Sequence, residues 1–160
     1  MRYVFEKVPD SLEEFRNMGN FSLKDPYAVS ALFLLALCKY VENKELGIEM
    51  INFLKGPIDL SKYEENFLAD RLCDKLYLPY SYFEGATPEN NYTANQPLTI
   101  QTYEDKSYVE PGYVKVLVAS GGADSKRFIK LRQKGEEFFI WEYPGILSSI
   151  RIPKKEDPWA

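Results

Sequence analysis

The segment AVSALFLLAL, Ala28 to Leu37, limits what this chain can fold into more than any other stretch. Asp25 and Pro26 stand just before it, an N-cap residue followed by a proline suited to the first helical turn. A helix that is apolar nearly all round cannot lie on a surface, so it must be covered on several sides. Ten residues fall far short of the roughly 20 that cross a bilayer. The cover must therefore come from the rest of the chain, and at 160 residues there is enough of it. A domain of that size buries about 70% of its unfolded surface.

The flanking sequence supplies further helices. In DSLEEF, Ser11 and Glu14 have capping-box spacing and open a short helix that ends near Gly19. NKELGIEMINFLKG places Leu46, Met50 and Leu54 on one face and stops at Gly56-Pro57. LSKYEENFLADRLCDKL repeats the capping box at Ser61 and Glu64, with Tyr63, Phe67, Leu68 and Leu72 as its expected apolar stripe. From Leu78 to Pro97 three prolines, three asparagines and several aromatics replace this periodicity with turn chemistry. Strands are expected at Leu98–Glu104, Gly112–Ala119, Arg127–Gln133 and Glu136–Tyr143, the last two joined as a hairpin through Gly135.

The pattern predicts one α+β domain over 1–160. About four helices (10–76) pack through a loop (77–97) on a small antiparallel sheet of about four strands (98–143), and a tail follows (144–160). One helical turn and an irregular end are expected in that tail, with Trp159 docked back or part of a contact surface.

Composition narrows the chemistry. There is no histidine, so Ser-His-Asp and Cys-His nucleophilic sites and His-ligated metal sites are excluded as usually built. Cys38 and Cys73 each sit in an expected helix among apolar neighbours and read as buried free thiols. The adjacent acid pairs Glu13-Glu14, Glu64-Glu65 and Glu136-Glu137 point apart on helices or strands, so none is a catalytic dyad. The expectation is no catalytic residue, no metal and no cofactor. With 20 Lys+Arg against 24 Asp+Glu, broad nucleic-acid binding is disfavoured. The opening MRYVFEKVPDSLEEF has no apolar core of the signal-peptide kind, which makes a cytoplasmic, non-membrane protein the expectation.

Two loops carry candidate binding residues. SGGADS, Ser120 to Ser125, follows an apolar run and reads like the nucleotide loop of ATP-pyrophosphatases. Consecutive N–H groups there could cradle a pyrophosphate to which Ser120 and Ser125 donate, with Asp124 near a magnesium ion and Arg127 nearby. The context opposes that role: FIKLRQKGEEFFIWEY reads as a hairpin rather than a helix, and only 35 residues follow Ser125. The alternative is a five- or six-residue hairpin loop whose glycines supply positive φ. In the other loop Tyr82, Phe83, Asn90, Asn91 and Tyr92 offer flat contact area and amide hydrogen bonds, although most of it reads more plainly as an ordered surface crossing from helices to sheet, with Asn and Pro fixing its turns. Lys130, Arg132 and Lys134 share one strand face, a candidate for an acidic partner or, more plainly, a solvated face neutralised by Glu136 and Glu137 across the turn.

Five strings, in order, carry a resemblance: DPYAVSALFLLALCKY, MINFLKGP, YFEGATPENNYT, GADSKRFIKLRQKGEEFFIWEY and IPKKEDPWA. Together they resemble an uncharacterised domain family found mostly in Firmicutes and related bacteria, over about Phe21 to the end. The pattern GATPxNNYT, GADSxRxIxLRxKG and DPWA implies a bacterial domain of unknown function and supplies no catalytic residues. It also implies that the Ser-Gly completing SGGADS is incidental. The expectation is a non-enzymatic module that acts through an unidentified protein partner or self-association, with phosphate or nucleotide binding at SGGADS as the alternative.

Overall fold

The computed structural model describes residues 1–160. In chain order it runs β1 (Arg2–Phe5), α1 (Leu12–Arg16), α2 (Pro26–Glu42), α3 (Lys44–Lys55), α4 (Lys62–Leu72), β2 (Leu98–Glu104), β3 (Tyr113–Val118), β4 (Arg127–Lys134) and β5 (Glu137–Glu142). Short 3-10 turns lie at Pro79–Tyr82, Pro88–Asn90 and Lys154–Glu156.

The apolar helix is central, as its composition requires. Asp25 Oδ1 accepts the Tyr27 N–H at 2.9 Å, Pro26 opens the helix, and every residue from Ala28 to Tyr40 is buried. The helix touches α3, β2, β3, β5 and the Pro79–Tyr82 turn, so the cover comes from helices on one side and sheet on the other. Burial of each large side chain contributes about 1.5–3 kcal/mol. Lys39 lies along this core with its stem buried and reaches Glu42 Oε1 at 2.9 Å and Asp10 Oδ1 at 3.5 Å. A Cβ on Gly47 of α3 would collide with the Tyr40 backbone, so glycine lets the two helices meet across the single residue Asn43.

The sheet has five strands, not four, in the order β1-β2-β3-β4-β5, all antiparallel. The strand missed in the sequence is β1, four residues long and too short for an alternating pattern to register. It adds Phe5 to the core and pairs Arg2–Phe5 with Leu98–Gln101. One buried cluster of 31 residues runs from Phe5 to Leu147. No helix is long and apolar enough to cross a membrane.

Three smaller expectations are corrected. Tyr63 is exposed, because it precedes Leu68 by five residues and so lies about 140° round α4 from the face that Leu68 and Leu72 bury. Cys73 caps α4 and is exposed, whereas Cys38 is buried and burial pushes its thiol pKa up. Glu136 pairs with Lys24 at 3.4 Å rather than with the hairpin cations.

Candidate functional site

Of the eight loop residues singled out from the sequence, Tyr82, Asn91, Tyr92, Asp124 and Arg127 grip the chain's own tail, while Phe83, Asn90 and Ser125 stay within their own loops. Tyr82 and Phe83 are buried, and the Tyr82 hydroxyl donates to the Ile146 carbonyl at 2.5 Å. Asn90 closes a capping box with Thr87, and its amide donates to the carbonyls of Gly85 at 2.7 Å and Thr93 at 3.2 Å. Asn91 is left-handed, and its Oδ1 accepts the Lys155 N–H at 2.8 Å. Tyr92 is buried, stacks on Tyr77 with ring centroids 5.3 Å apart, and donates its hydroxyl to the Arg151 carbonyl at 2.5 Å. Burial, with the neighbouring Tyr77, pushes the Tyr92 pKa up to about 12.

Arg127 is the strongest clamp in this junction. Nε donates to the Gly145 carbonyl at 3.0 Å, and its terminal nitrogens donate to Ser125 O and Oγ and to the carbonyls of Ser148 and Ser149 at 3.0–3.3 Å. The planar five-donor fork suits such a set of carbonyls. Asp124 is 95% exposed and pairs with Arg151 at 3.0 Å.

SGGADS connects β3 and β4 as an eight-residue loop, longer than expected, with Val118 and Arg127 as the closing pair. Strand β4, not a helix, follows it. The N–H groups an anion nest would need are already engaged. Gly121 N–H donates to the Ser81 carbonyl at 2.8 Å, Gly122 N–H to Ser120 Oγ at 3.1 Å, and Ala123 N–H to the Ser120 carbonyl at 3.3 Å. Neither glycine is at positive φ, contrary to the turn reading. They are needed for space: a Cβ would strike the Ala86 carbonyl at Gly121, and the Tyr92 hydroxyl and Ile150 at Gly122.

The open chemistry lies at the other end of β4. Gly56 ends α3 with φ +85°, a conformation that favours glycine, and the Phe139 ring packs against its Cα. This contact lays Gly56–Ile58 over the outer face of the β4–β5 hairpin and leaves a cleft of about 630 Å³. Its walls include Ile58, 74% exposed, Phe139, and Trp141, 41% exposed. Its polar rim holds Lys55, Glu64, Arg132 and Lys134.

Sheet geometry explains the alignment. Leu131 and Ile140 face the core, so Arg132 and Phe139 face out. A bulge between Lys130 and Leu131 makes Trp141 the extra residue on β5 and leaves Trp141 and Glu142 both exposed. The Arg132 guanidinium lies 4.7 Å from the Trp141 ring centroid and 5.9 Å from that of Tyr113, while Tyr113 meets Trp141 edge-on at 5.8 Å.

The basic cluster expected on this face is thus not uniform. Lys130 is held by Glu110 at 2.5 Å, with Glu142 at 3.9 Å; the Glu110 hydrogen bond raises the Lys130 pKa, and that of Glu110 is lowered. Lys55 is paired with Glu64 at 3.0 Å. Arg132 and Lys134 have no ion-pair partner. The cleft was missed in the sequence, although EFFIWE carried a signal: large apolar residues on both faces of a strand exceed what a solvated outer face needs.

No curated protein and no solved structure matches the chain. A family model does, over residues 7–154. The earlier resemblance thus holds at the level of the family, and the chain belongs to the domain of unknown function DUF6935.

Proposed function

We propose that this domain works by binding, and that its recognition surface is the cleft between the α3–α4 connection and the β4–β5 hairpin. One observation carries the reading: exposed apolar walls, Ile58 and Trp141, stand beside two unpaired cations, Arg132 and Lys134, in a cleft of about 630 Å³. That volume lies in the range of small-ligand and side-chain pockets. The matching ligand is a peptide segment with one large apolar side chain flanked by carboxylates. The apolar group fills the cleft, and the carboxylates meet the fork of Arg132.

The chain's second tryptophan is Trp159, so the Trp159→Phe variant leaves Trp141 emission as a reporter of the cleft. Titration with a panel of end-blocked acidic-aromatic peptides should give a saturable change. That change should weaken in Arg132→Glu and at high salt, since exposed charges are screened beyond about 8–10 Å. A flat response to the whole panel from folded protein counts against the cleft as the binding surface.

A further inference from the structure

Trp159 is the most exposed large apolar side chain of the molecule, at 93%. It does not dangle. Asp157 Oδ1 accepts the Trp159 N–H at 2.8 Å, the Ala160 N–H donates to the Asp157 carbonyl at 3.2 Å, and Pro158 restricts the backbone between them. The turn before it is fastened by Asn91 through the Lys155 N–H. An indole is thus held out to solvent on an ordered turn, with Glu156 and Asp157 beside it. A preformed element of this kind loses little conformational freedom on docking.

We infer that the cleft receives Trp159 and its flanking carboxylates from a second copy of this chain. This rests on the cleft being a binding surface and adds what fills it. Charge complementarity supports the match: the projecting turn carries Glu156 and Asp157, and the cleft carries unpaired Arg132 and Lys134 beside its apolar wall. The tail is fastened at the Arg127 end of β4, whereas the cleft opens at the Arg132–Lys134 end, about 20 Å along the strand at ~3.3 Å per residue. Trp159 itself is 93% exposed and absent from the lining of its own cleft, so the cleft it meets is another molecule's. Donor and acceptor are different patches, so the contact either closes as a reciprocal dimer in which each tail fills the other copy's cleft, or repeats head-to-tail as rings or open chains.

The test uses the Trp159→Ala full chain, which frees the cleft, and an end-blocked, dye-labelled peptide of residues 156–160. Anisotropy should show saturable binding. Arg132→Glu and Trp141→Ala added to that chain should each weaken it at least about tenfold, as expected for a central anchor. In sedimentation velocity the wild-type protein should grow in size with concentration, and Trp159→Ala should stay monomeric. Absence of peptide binding, binding unchanged by the cleft substitutions, or a wild-type monomer at every concentration each overturns the inference. If other acidic-aromatic peptides still bind the cleft, only this occupant is rejected. If none binds, the cleft reading fails with it.

Discussion

The two ends of the β4–β5 hairpin are built from the same materials. Tyrosines, asparagines, an arginine and acids gather at the Arg127 end; tryptophan, tyrosine, an arginine and acids gather at the Arg132 end. At the first, each donor named above already has an acceptor within the chain, and the aromatic rings are buried. At the second, Arg132 and Lys134 lack ion partners and Ile58 and Trp141 face solvent. Residue type does not distinguish a clamp from the proposed recognition surface. What distinguishes them is whether the groups are already satisfied, because only an unsatisfied group gains by meeting a ligand.

The sharpest way to break this contrast is at the loop glycines. Gly121→Ala drives a Cβ into the Ala86 carbonyl and Gly122→Ala drives one into the Tyr92 hydroxyl. Each should destabilise the fold by about 3 kcal/mol, measured by urea unfolding. A nucleotide loop that only needed flexible glycine would lose ligand and keep its stability.

Arg127→Ala comes next. Five hydrogen bonds are lost and the carbonyls of Gly145, Ser148 and Ser149 are left short of a donor. A loss of about 2–3 kcal/mol is expected, with faster amide exchange from Ile146 to Lys155. Arg127→Lys should recover only part of it, since one ammonium cannot span the same carbonyls.

Tyr92→Phe removes a single part-buried hydrogen bond to the Arg151 carbonyl and should cost about 1 kcal/mol. It also tests the pH response. The Tyr92 pKa is pushed up to about 12 in the fold, against about 10 in the unfolded chain. The folded state therefore holds that proton more tightly. The corresponding stability is whole below pH ~10 and is lost as pH rises from ~10 to ~12. Urea midpoints across that range should fall less steeply in Tyr92→Phe than in the wild type.

Smallest are the stability effects of Asp124→Ala and Arg132→Ala. The first removes an ion pair whose carboxylate is 95% exposed and should change stability by less than ~0.5 kcal/mol. The second removes an exposed stack on Trp141 and should cost under ~1 kcal/mol. The two part company in peptide binding: Arg132→Ala should weaken it while Asp124→Ala leaves it unchanged. Equal behaviour in the anisotropy assay would erase the distinction between the two ends.

Much of the architecture was legible in advance because it follows from local rules. The apolar run at Ala28–Leu37 could only be a covered core helix. The caps at Ser11, Asp25 and Ser61 mark helix starts whatever lies around them, and Gly135 at φ +64° makes the two-residue turn of the last hairpin. The loops at Tyr82–Tyr92 and Ser120–Arg127 read in sequence as binding surfaces because they are dense in hydrogen-bonding groups. What those groups bond to was decided only by tertiary structure. Arg127 meets Gly145, Asn91 meets Lys155 and Phe139 meets Gly56 across intervals that no local pattern encodes. A side chain's capacity for interaction is covalent and can be read from sequence; whether that capacity is used within the chain or left open depends on which segments the fold brings within a few ångströms.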